Sequence, residues 1–93
     1  MLDFYGKLFK KQEKQVELAE VGYAIKLRNL PAALAGASME ESERLIEDVR
    51  FAKEALEDMK KERDSTKARY IAERNKPENA VKVLKEIEFE GDL

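Results

Sequence analysis

The chain has 93 residues, 41% of them charged, with 18 basic against 20 acidic side chains and a net charge of −2. That length holds one modest core and no second catalytic domain, and the near-neutral balance removes any global field that would select nucleic acid or an anionic membrane. Cysteine and histidine are both missing, which excludes a disulfide framework, thiol chemistry, and the commonest general base and transition-metal ligand.

The start, Met1-Leu2-Asp3-Phe4-Tyr5-Gly6-Lys7, lacks a basic stretch followed by an apolar one, and no run is long enough to span a bilayer. The expectation is an unprocessed, cytoplasmic chain without a membrane span. From Phe4 onward, Tyr5, Phe9, Val16, Ala19, Tyr23, Leu27 and Leu30 step along one side by threes and fours. That spacing predicts a first helix over about 4–30. Pro31 disfavours helical geometry at the residue before it, so the small-residue segment 31–37 is expected to turn the chain.

Ser38 followed by Glu41 is the pattern of a capping box and predicts a second helix over 38–75. Leu45, Val49, Ala52, Leu56, Met59, Arg63, Thr66 and Tyr70 alternate spacings of four and three without a slip, the seam of a coiled-coil-like helix. The seam turns polar at Arg63 and Thr66, so packing is expected to weaken toward its far end. Asn75-Lys76-Pro77-Glu78 then ends that helix and favours a short third one over about 77–87, because proline fits the first helical turn and an acid complements its dipole. Glu86, Glu88, Glu90 and Asp92 alternate with Ile87, Phe89 and Leu93, a period-two pattern read as an extended tail over 88–93.

The fold class is therefore all-α. The chain reads as one domain: a long antiparallel hairpin, coiled-coil-like, with a short third C-terminal helix and an extended acidic tail. Pairing residues symmetrically about the 31–37 turn sets Tyr23 against Leu45, Val16 against Ala52, Phe9 against Met59 and Tyr5 against Arg63. Tyr70 and Ile71 then lie beyond the first helix, for the third to cover with Ala80, Val83, Leu84 and Ile87.

The hairpin does not use all the apolar surface. Leu18, Val21 and Ile25, with Gly22 among them, lie roughly opposite the first helix's seam, and Phe51 points away from the seam of the second. A helix apolar on two sides needs two covers. Either the third helix folds back over this stripe, or a second copy or another protein does. These five residues are the candidate partner-binding surface of a non-catalytic interaction module. A lower-ranked alternative is a nucleic-acid-associated factor using Lys7, Lys10, Lys11 and Lys14, with Glu13, Glu17 and Glu20 diluting that patch. Carboxylates abound but are expected to point outward without a histidine companion, so no metal, cofactor or small-molecule substrate is expected.

In outline, two long helices in a chain this short resemble the secreted helical-hairpin proteins whose turn carries a Trp-x-Gly motif. Here there is no Trp, the turn reads Leu34-Ala35-Gly36, and Arg74 stands four residues after Tyr70 where that family's export signal has an acid. The chain is not assigned to it. In composition it resembles small accessory proteins of bacteria and their phages, which suggests an accessory, assembly or inhibitor role.

Overall fold

A computed structural model describes residues 1–91, with side chains as far as Lys85. Helix α1 spans Leu2–Ala35 and α2 spans Met39–Arg74; a 3-10 turn over Pro77–Asn79 leads into α3, Ala80–Gly91. The two long helices pack against each other along their length as an antiparallel hairpin. The molecule measures 62 × 26 × 13 Å, so it is one helix thick.

The seam read on α2 is the one that is covered. All eight of its residues from Leu45 to Tyr70 are buried or half-buried, and the positions between them are almost all exposed. On α1 the covered seam residues are Leu2, Tyr5, Phe9, Gln12, Val16, Ala19, Tyr23 and Leu30, with Gly6, Leu8 and Leu34 half-buried beside them. The seam's alternation of three and four requires residue 26, not 27, between Tyr23 and Leu30. Leu27 is accordingly 43% exposed, a correction to the expected seam. In its place Lys26 extends its amine to Asp48 at 2.9 Å.

The turn also differs from expectation. Helix α1 continues through Pro31 to Ala35, so only residues 36–38 connect the helices, rather than 31–37. Proline removes one donor and crowds the carbonyl four residues back, but φ near −65° is itself helical, and residues 32–35 add another turn beyond it. The connection closes where Gly36 and Ala37 both donate to Leu34 O. Ser38 then starts α2, its hydroxyl accepting from the Glu41 N–H at 3.2 Å, the serine half of the expected box.

Lengthening α1 moves the hinge point of the hairpin, and the register moves with it. Phe9 stacks on Tyr70, ring centroids 6.4 Å apart, instead of lying opposite Met59. Tyr70 is thus covered by α1, not by α3. The Tyr70 ring passes so close to Gly6 that a Cβ built there would lie 3.1 Å from Cε2. An apolar clamp of Leu2, Phe9 and Tyr70 consequently closes the open end, beyond a polar stretch of the seam at Gln12, Arg63 and Thr66.

Helix α3 packs mainly on the 3-10 turn before it and barely meets α1 or α2 among the described residues. Ile71, Val81 and Leu84 stay exposed, so the expected cover over Ile71 is not made. The turn itself is well fixed: Asn79 is buried and donates its Nδ2 to Glu73 O at 2.7 Å, satisfying a carbonyl in the last turn of α2. Helical backbone continues to Gly91, past the expected end at 87. The side chains of Ile87 and Phe89, and all of Asp92 and Leu93, lie outside the described residues.

Candidate interaction surface

Two cross-helix ion pairs identify the two broad faces of the ribbon. Lys26 meets Asp48 at 2.9 Å and Glu20 meets Lys60 at 3.4 Å. In an antiparallel pair, residues three or four from a bridged position share its face. Gly22 and Leu18 therefore lie on the Lys26 side of α1, and Phe51 lies on the Asp48 side of α2. Moving away from the turn, Gly22 is one turn beyond Lys26 and Phe51 nearly one turn beyond Asp48. The two sit level with each other on one face.

Ile25 belongs to the same face. It lines a groove of about 180 Å³ with Lys26, Asn29, Leu30, Leu45, Asp48 and Val49, in which the ion pair crosses a mainly apolar floor. Val21 follows Leu18 by three and precedes Ile25 by four, on the outer edge of α1. The structure thus brings Leu18, Gly22, Ile25 and Phe51 to one face, with Val21 at its rim.

None of these side chains is covered. Leu18 is 71% exposed, Phe51 72% and Ile25 44%, and nothing lies within 4 Å of where a Gly22 Cβ would stand. The third helix does not fold back over the stripe. For a chain of this mass a compact fold exposes about 5,500 Å²; this one exposes 7457 Å². Its radius of gyration is 20.0 Å, against about 12 Å for a globule of the same length.

The N-terminal lysines occupy a different region. Lys7, Lys10, Lys11 and Lys14 are all exposed on the part of α1 turned away from α2, and no ion pair among the described residues involves them. Lys7 and Lys10 border a cleft of about 150 Å³ shared with Leu2, Asp3, Gly6 and Tyr70. Of the diluting acids, Glu20 is taken by Lys60, while Glu13 and Glu17 stay exposed in the same turns as the lysines.

One polar pair was not legible in the sequence. Lys76 donates to Glu73 Oε1 at 2.7 Å. That hydrogen bond holds the Glu73 carboxyl below its ordinary range, against a smaller opposing effect of burial, and raises the Lys76 amine above its own. It fastens the end of α2 to the turn that follows and offers no reactive group.

Among the described residues there is no group of three or more acids that could hold a metal ion, and no helix is long and apolar enough to cross a membrane. Comparison with protein-family models, curated proteins and solved structures finds no match.

Proposed function

We propose that the protein is a non-catalytic interaction module that holds the Leu18, Val21, Gly22, Ile25 and Phe51 surface against another protein surface. The partner is a second copy of the chain or a larger protein, as befits a bacterial or phage accessory, assembly or inhibitor protein working in the cytoplasm. The observation that carries this reading is the exposure of two large side chains, Leu18 and Phe51, on one face beside an apolar groove. Contiguous exposed apolar surface on a small protein marks a contact site, and a central aromatic is the usual anchor of such a site.

Leu18→Asp combined with Ile25→Asp tests it. Neither residue holds the hairpin seam, so helicity by circular dichroism is expected to stay at the wild-type level. Assembly by light scattering, and crosslinks from the neighbouring Lys14 and Lys26 to a partner in the native host, are expected to disappear. Unchanged assembly and crosslinking in the double variant would reject the surface. A nucleic-acid reading is favoured only by the four exposed N-terminal lysines; it requires a mobility shift that weakens with salt, and the lack of any shift at low salt removes it.

A further inference from the structure

We infer that the open half of the hairpin docks on an anionic membrane surface, through a strip of Phe4 and Leu8 bordered by Lys7, Lys11, Lys14 and Arg69. The inference goes beyond the protein contact proposed above and uses none of its five residues. Charge is unevenly placed along the molecule. Residues 1–16 and 61–76, which form the open half, carry ten basic and five acidic side chains, whereas the rest of the chain carries eight and fifteen. The net charge of −2 therefore joins a basic end to an acidic remainder, and a local field selects a partner where the global one does not.

Within that half the helical repeat sorts the charges again, because positions seven apart along a packed hairpin keep one face. Stepping by sevens from Leu18 and Gly22 toward the open end reaches Lys11 and Phe4, then Gln15 and Leu8. From Asp48 on α2 the same step reaches Glu62 and Arg69, and from Val21 along the rim it reaches Lys14 and Lys7. Leu8 and Arg69 each precede one of the stacked rings of Phe9 and Tyr70, so they flank that stack on the same face. The four acids of α1, Asp3, Glu13, Glu17 and Glu20, follow the opposite face, which the Glu20–Lys60 pair marks. Among the described residues of the open half, Glu62 is the one acid on the Phe4 face, and it stands at the inner boundary.

The strip is available for contact. Phe4 is 57% exposed, and Lys7, Lys11, Lys14 and Arg69 are exposed and join no ion pair among the described residues. Nucleic-acid phosphates complement the cations but offer nothing to Phe4 and Leu8. An anionic bilayer supplies both, headgroup charge for the bases and the acyl boundary for the apolar side chains, which is the arrangement that holds a helix in the interface plane. A ribbon 13 Å thick lays this broad face on such a surface without crossing it.

The chain has no Trp, so Phe4→Trp places a single fluorescent reporter in the strip. The full chain is expected to co-sediment at low salt with vesicles of roughly one part phosphatidylserine to two of phosphatidylcholine. The reporter's emission is expected to move to the blue, and added salt to release the protein as screening tightens. Lys7→Glu combined with Lys11→Glu leaves the seam untouched and is expected to weaken vesicle binding about twenty-fold or more at unchanged helicity. Equal binding to pure phosphatidylcholine, or undiminished binding of the charge-reversed variant, overturns the role of the cations. Co-sedimentation with an unshifted reporter overturns insertion at Phe4, and no co-sedimentation at low salt overturns the docking outright. A mobility shift with duplex DNA and no vesicle binding assigns the lysines to nucleic acid and likewise overturns it.

Discussion

Glu73 and Lys76 show what a single contact contributes at the end of a long helix. Their hydrogen bond lowers the pKa of the acid and raises that of the amine relative to their ordinary values of 4.5 and 10.5. Near the acid's pKa the unfolded chain binds more protons than the folded one, so stability rises with pH there. The acid's contribution is complete above pH 4.5 and is lost as pH falls through its lowered pKa. For the amine the sign reverses: its contribution is complete below pH 10.5 and is lost as pH climbs through the raised value. Lys76→Met is therefore expected to flatten the dependence of melting temperature on pH at both extremes, as followed by circular dichroism. The effect will be small, because the Lys76 amine is open to solvent even though Glu73 is half-buried.

Within each long helix, the residues that set register are the polar ones in the seam. Val16 and Leu56 are buried and would pack in several neighbouring alignments, whereas Gln12, Arg63 and Thr66 tolerate few. Gln12 Oε1 is buried without a hydrogen-bond partner, and Thr66 is buried as well. An unsatisfied buried acceptor costs about 1–3 kcal/mol. Gln12→Leu is expected to raise the unfolding free energy by a similar amount in urea titrations. A polar residue at one seam position fixes alignment at the expense of stability, so the same variant is expected to broaden the distance distribution between spin labels on the two helices. A variant no more stable than wild type would mean that Gln12 is satisfied in solution.

At the scale of the whole molecule, a layer one helix thick has an inside only along one line. The hairpin buries that line, and both broad faces remain at the surface. Among the described residues helix α3 adds little to it, since its contacts are mainly with the turn at Pro77–Asn79. A chain ending at Asn79 keeps the Asn79 bond to Glu73 O and is expected to melt within a few degrees of the full chain. A loss of cooperative unfolding on removing residues 80–93 would show that α3 supports the hairpin. The same flatness leaves Leu18 and Phe51 exposed, and the proposed contact surface depends on it.

The sequence by itself determined the helical class, the α2 seam residue by residue, the serine cap at 38 and the presence of a second apolar side on α1. These follow from periodicity and local backbone chemistry, which act over one or two turns. Tertiary structure alone decided the register, because pairing about a turn depends on where the first helix ends. Proline at 31 biases that end locally, but the chain continues to Ala35 and shifts Phe9 from Met59 to Tyr70. It also decided that α3 leaves Leu18, Val21 and Ile25 uncovered, and that Gly22 and Phe51, 29 positions apart in sequence, lie level on one face. No local pattern contains that information, since it arises only when two helices are set side by side.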